Sequence, residues 1–139
     1  MAKQHTWPAP PEQGPLVECP CCRYPLLEEA AAYEICPLGW WEDDGQDNED
    51  ADMVEGGVNY DYSLTEAREN FQHYLTQYRP SDRKFTEFRQ ADPGLLACKR
   101  RIIEAFEEMR NRKDDESITH LWKVVSSELP RIRRIEGLR

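Results

Sequence analysis

Much of what would identify a function is missing from this chain of 139 residues. No stretch approaches the run of about eighteen apolar residues that a membrane span needs. The N-terminus has no apolar core of a secretory signal, and the chain is expected to be soluble and cytoplasmic. Histidine is scarce, and His5, His73 and His120 are scattered, read as packing or surface residues. There is no glycine-rich phosphate loop, no nucleophile elbow and no paired-carboxylate motif, so the chain is expected not to be an enzyme. No internal repeat is visible. Positive charge is nearly absent from the first half: residues 1–66 hold two basic and fifteen acidic side chains, a net of −13. Residues 67–139 hold sixteen basic and twelve acidic ones, a net of +4. The acidic half repels nucleic-acid phosphates and attracts a basic protein. Nucleic acid is therefore a disfavoured partner, although Arg131, Arg133, Arg134 and Arg139 make the C-terminus basic.

What the chain does have is cysteine in a pattern. Cys19-Pro20-Cys21-Cys22 is followed, after thirteen intervening residues, by Cys36-Pro37-Leu38-Gly39. Two facing Cys-Pro-x-Cys turns make a four-thiolate zinc ribbon, because such a turn sets two thiolates at the right separation for a tetrahedral ion. The first turn is complete, whereas the second has Gly39 where the last thiolate would stand. Cys19, Cys22 and Cys36 are the candidate zinc ligands. The fourth ligand could be water, a nearby carboxylate or a distant histidine such as His73. A metal-free head held by Trp40 and Trp41 is the competing reading, and a catalytic zinc with an open position stays formally available. Dithiol–disulfide cycling is a further alternative, weakened by the acidic surroundings, which raise thiol pKa. Five cysteines in a presumed reducing compartment argue against a disulfide framework. Cys98 is read as core.

The order of elements predicts an α+β fold: a small zinc-ribbon-like β head followed by about three helices. Residues 1–15 read as a flexible, proline-rich lead, 16–62 as the head with its acidic loop, and 63–139 as a helical region packed on it, one domain overall. Ser63 with Glu66 forms a capping box. Leu64, Ala67, Phe71, Leu75 and Tyr78 then follow helical spacing until Pro80 and Ser81. Asp92-Pro93 starts a second helix with Leu95, Cys98, Ile102, Phe106 and Met109 on its apolar face. A third, from about Asp114–Ser117, presents Ile118, Leu121, Trp122, Val125 and Leu129 and stops at Pro130.

Seven of the eleven residues from 42 to 52 are acidic: Glu42, Asp43, Asp44, Asp47, Glu49, Asp50 and Asp52. No register matches the calcium loop of an EF-hand, which needs glycine at position six and glutamate at twelve. A solvated loop, a docking surface for a basic partner and divalent-ion binding remain open. On the docking reading these carboxylates pair with lysine and arginine of the partner, and Trp40 or Trp41, or nearby tyrosines, serve as anchors.

The chain resembles the cysteine-rich CPCC family. The resemblance is carried by Cys19-Pro20-Cys21-Cys22, by Tyr33-Glu34-Ile35-Cys36-Pro37 running into Trp41-Glu42-Asp43-Asp44-Gly45, and by Gly56-Gly57 leading to Ser63-Leu64-Thr65-Glu66-Ala67-Arg68-Glu69-Asn70. It implies a zinc-ribbon-like head with a helical tail. The family's second turn usually ends in cysteine, so its ligand set carries over to Cys19, Cys22 and Cys36 only. Some members look like immunity partners of secreted toxins. Together with the acidic face and the lack of catalytic apparatus, the resemblance leads to the expectation of an immunity protein that neutralises a cognate toxin with a basic surface, against the alternative of a zinc-ribbon adaptor or regulator in a nucleic-acid or protein complex.

Overall fold

Apolar periodicity builds the second half. In the computed structural model, which describes residues 7–137, four helices follow one another among the described residues: α1 Leu64–Tyr74, α2 Arg83–Ala91, α3 Leu95–Met109 and α4 Asp115–Glu136. Each starts where the chain supplies an acceptor for a free backbone N–H, except α3, whose first turn begins at Gly94. Ser63 Oγ accepts from Glu66 N, Asp82 from Lys84 N and Asp114 from Ser117 N. The Ser63 cap is as expected, but the Glu66 carboxylate turns away to Arg79 and Asn70 instead of closing a box.

Three boundaries differ from expectation. α1 stops at Leu75, which takes left-handed φ (61°) and returns its N–H to Phe71 O; Leu75 and Tyr78 thus belong to a buried turn, not to the helix. The next helix, α2, was not foreseen because Phe88 is its one buried residue. Asp92 closes α2 rather than opening α3 and also accepts from Gly94 N. Pro130 lies inside α4, which runs on to Glu136 with Ile132 and Ile135 buried, so the basic segment through Arg134 is helical. Its position facing solvent spares the helix a buried unpaired carbonyl. Arg139 and His5 lie outside the described residues.

α3 and α4 pack along each other through the expected faces: Leu95, Cys98, Ile102, Phe106 and Met109 against Ile118, Leu121, Trp122 and Val125, all buried. The N-terminal segment joins them from Trp7 onward. The Trp7 ring lies 5.8 Å from Tyr24 and 5.7 Å from Phe106, and the Trp122 indole donates to Pro8 O at 3.2 Å. Only residues 1–6 of the expected flexible lead fall outside the described chain, and residues 7 and 8 are docked.

The head contains little regular structure. β1 (Val17–Glu18) pairs antiparallel with β2 (Pro25–Leu27), with Val17 opposite Leu27. A single bridge, Ile35 to Glu42, closes a second hairpin. Each hairpin ends in one of the cysteine turns, so this is a small two-hairpin β head ahead of helices, as the cysteine spacing predicts. Trp40 and Trp41 are 1% and 0% exposed and join the two halves in one core. No helix of the described residues is long and apolar enough to cross a membrane.

Candidate functional site

The two cysteine turns have the same backbone. In the first, Cys19 N donates to Tyr24 O at 3.0 Å and Arg23 N returns to Cys19 O at 2.8 Å. In the second, Cys36 N donates to Trp41 O at 2.9 Å and Trp40 N to Cys36 O at 2.9 Å. Arg23 and Trp40, four residues after the leading cysteine, both have φ of 69°. A non-glycine residue in that region costs roughly 1–2 kcal/mol, and the hydrogen bonds on either side of it hold the turn. Gly39 thus occupies in the second turn the place Cys22 has in the first. A Cβ built on Gly39 would stand 3.0 Å from Phe71 Cδ2 and 3.4 Å from Cε2. The α1 ring has filled the room that a side chain at 39 would need.

Three thiols converge nonetheless. The sulfurs of Cys19, Cys22 and Cys36 lie within 4.8 Å of one another, and Cys22 Sγ is 3.6 Å from Cys36 Sγ. The group can hold a metal ion. It contains no fourth donor among the described residues: Cys21 is outside it, its N–H donating to Cys19 Sγ at 3.4 Å, and His73 is exposed on α1. All five cysteines are buried and free of disulfides.

Burial pushes the Cys19, Cys21 and Cys22 thiols up, so it is dehydration more than the acidic loop that keeps them protonated. Cys36 goes the other way. Burial alone would raise it, but hydrogen bonds from the Cys19 and Cys22 thiols and from the N–H groups of Gly39 and Leu38 outweigh that and bring it well below the usual thiol value. Cys98 is core, its thiol donating to Glu128 O at 3.4 Å and pushed up to about 12, chiefly by burial.

The helical half supports this turn directly. Gln77 N donates to Gly39 O at 2.9 Å, the Gln77 amide donates to Trp40 O at 2.8 Å, and Asn70 holds Gln77 O at 2.8 Å. Lys99 of α3 reaches the same place. It is 1% exposed, its Nζ donates to Leu75 O at 2.6 Å, and it lies 3.8 Å from the Trp40 ring centroid. Burial pushes its pKa down to about 7, against the pull of the Cys36 and Cys22 sulfurs. Sequence reading passed over Lys99. The signal was a lysine four residues after Leu95 and three before Ile102, on a buried stripe.

The acidic loop differs from its expected form. Trp40 and Trp41 are core residues and offer no anchor at the surface, because their rings fill the space between head and helices. Asp43 is 3% exposed, with its carboxylate accepting from Ala31 N at 2.7 Å and Gly45 N at 3.3 Å. It is a brace of the loop and not a contact for a partner. Several others also hold the loop itself. Asp44 accepts from Gln46 N and the Asn59 amide, Asp50 from Asp47 N, and Asp52 from Thr65 Oγ. Asp47 meets Arg68 at 3.4 Å and Arg23 at 3.7 Å. Glu42 is half-buried, while Glu49 and Asp52 are exposed.

Sequence reading allowed for nearby tyrosines as anchors but missed the Met53-Val54 pair beside these carboxylates. Tyr33, Met53, Val54 and Tyr60 are 60%, 56%, 56% and 62% exposed. Tyr33 faces the 55–58 turn across a cleft of about 480 Å³ that is also lined by Asp44, Asp50 and Glu55. The available signal was an apolar pair, Met53-Val54, in a stretch with neither helical nor strand periodicity.

No curated protein and no solved structure matches the chain. A family model described as "Cysteine-rich CPCC" matches residues 17–92, more than half of the chain and a span that takes in both cysteine turns, the acidic loop, α1 and α2. With the paired turns and the three converging thiols in place, the chain belongs to the Cysteine-rich CPCC family.

Proposed function

We propose that this protein is a non-enzymatic binding protein that captures a basic protein partner on the acidic face of its head and neutralises it, as an immunity protein does with a secreted toxin. The observation that supports this most is the company kept by the exposed apolar side chains. Single exposed apolar residues are ordinary on any protein surface. Here all four of the large ones recorded for the described residues fall between positions 33 and 60, among Glu49, Asp52 and Glu55. Aromatic and methionine anchors inside a charged rim are how protein interfaces combine affinity with steering. The anchors in this reading are Tyr33, Met53, Val54 and Tyr60, and no longer the tryptophans.

The three-thiolate group serves as a structural zinc site in the same reading. Thiolates suit zinc by softness, and the two hairpins have few hydrogen bonds of their own to hold them together. Among the described residues no fourth donor joins the group, so in this reading water takes the remaining zinc position.

Two variants separate the parts of the face. Met53→Ser with Tyr60→Ser removes anchors and speeds dissociation from the partner. Glu49→Lys with Asp52→Lys reverses charge, slows association and flattens its salt dependence. The partner to try first is a toxin encoded beside this protein: co-expression should restore growth, and failure to do so sinks the immunity reading. Metal analysis of protein purified without added metal checks zinc, with about one ion per chain expected.

A further inference from the structure

Lys99 is an amine in a place that ordinarily excludes a charge. An ammonium taken out of water without a counter-charge is strongly unfavourable. The two contacts at its nitrogen, Leu75 O and the Trp40 ring, are both formally neutral. They orient the ammonium but leave its charge uncompensated. Its nitrogen sits against the second cysteine turn, which the Trp40 N–H closes on Cys36 O at 2.9 Å. Trp40, whose ring lies beneath the nitrogen, directly follows Gly39 in the second cysteine turn.

The geometry points to Lys99 as the resident counter-cation of the Cys19–Cys22–Cys36 group, the charge that lets three thiolates hold a divalent metal ion in a dry interior. The charge count is simple. Three thiolates around a divalent ion leave one net negative charge, and one ammonium cancels it. Four thiolates would leave two. Gly39 and Lys99 are therefore two sides of one arrangement: a thiolate is absent from the second turn, and a single cation is enough to neutralise what remains. Leu75 O fixes the ammonium, and the left-handed backbone of Leu75 together with the Gln77 bonds to the second turn holds that carbonyl in place.

This inference rests on the group taking a divalent ion, and the test keeps the two apart. Reduced protein is titrated anaerobically with cadmium, followed by its sulfur charge-transfer absorption, and separately with arsenite. Arsenite reacts with three thiols to give a neutral trithiolate and three waters, so its binding does not call on a counter-cation. Lys99→Met, similar in size and uncharged, should weaken cadmium binding by about a hundredfold, the scale of removing one partner from a buried ion pair. Its arsenite affinity should stay within about threefold of wild type, which also reports that the three sulfurs are still assembled. Lys99→Arg, which keeps the charge, should stay nearer to wild type for cadmium. Equal cadmium affinity in Lys99→Met and wild type overturns the role of Lys99, as does an equal loss for both ions, which would make it a packing group. A wild-type protein that takes arsenite but not cadmium overturns the divalent site itself.

Discussion

The head and the helical half bury their cores by different means. The head has strands of two and three residues, and it is built from turns and side chain-to-backbone hydrogen bonds around three gathered thiols. The other half has helices of 11, 9, 15 and 22 residues, and the last two pack along each other through apolar faces at regular spacing. A periodic helix face tolerates small changes, since each side chain contributes in proportion to the area it buries. The head depends on a few positions, such as Arg23, Gly39 and Trp40, whose backbone geometry is set point by point. Gln77 and Lys99 tie the two together.

The strongest way to break the contrast is to remove a large ring from each half. Trp41→Ala and Trp122→Ala should each destabilise the protein by about 3–5 kcal/mol, the range for emptying a buried aromatic site. Because the tryptophans of the head and the helical core are continuous, urea unfolding should stay a single transition in both. Two separate transitions would show that the head and helices are independent units.

How much of this could be read in advance follows the same division. The faces of α3 and α4 were legible because a period of 3.6 residues is written in the sequence itself, and the cap at Ser63 was legible because capping is local. The convergence of Cys19, Cys22 and Cys36 was legible from cysteine spacing. What failed needed tertiary information. Trp40 and Trp41 next to an acidic run look like surface anchors until the helices cover them. Asp43 looks like a free carboxylate until Ala31 and Gly45 point their N–H groups at it. Leu75 fits a helical stripe, yet its left-handed backbone ends the helix.

Pro130 is the case where a local rule gave the wrong end. The helix runs through it because Ile132 and Ile135 have a core to enter. The proline still lacks the N–H that would bond one turn back. Pro130→Ala should therefore stabilise the protein by about 1–3 kcal/mol, a raised melting temperature being the measurement. No gain would mean that the last two turns contribute little.

Gly39 sharpens the contrast from the other side. Gly39→Cys restores a fourth thiol by sequence, but its Cβ would stand against Phe71 at a distance the ring must yield to. The metal-free variant should lose about 1–3 kcal/mol, as overpacked cores do. Combining it with Phe71→Leu should recover part of that loss and bring cadmium binding with four sulfurs, read from a stronger charge-transfer absorption per ion. Four-sulfur binding in the single variant, with no loss of stability, would show that the ring is no obstacle.

The smallest effect belongs to the surface seam between the halves. Arg79 grips Glu66 with two bonds of 2.7 Å, adds Asp61 at 3.0 Å, and stacks 4.0 Å over the Tyr62 ring. The Arg79 guanidinium holds the Glu66 carboxyl below its ordinary value. A lowered folded pKa means that the folded state favours the ionised form. The stabilisation is therefore present above the unfolded value of about 4.3 and lost as pH falls through the lower folded one. About a third of each side chain remains exposed, so water screens the pair. Glu66→Gln should cost no more than about 1 kcal/mol at neutral pH. The difference from wild type should shrink as pH falls below the unfolded value and through the lower folded one. A difference that persists unchanged into acid would assign the effect to packing around Asn70 and not to charge.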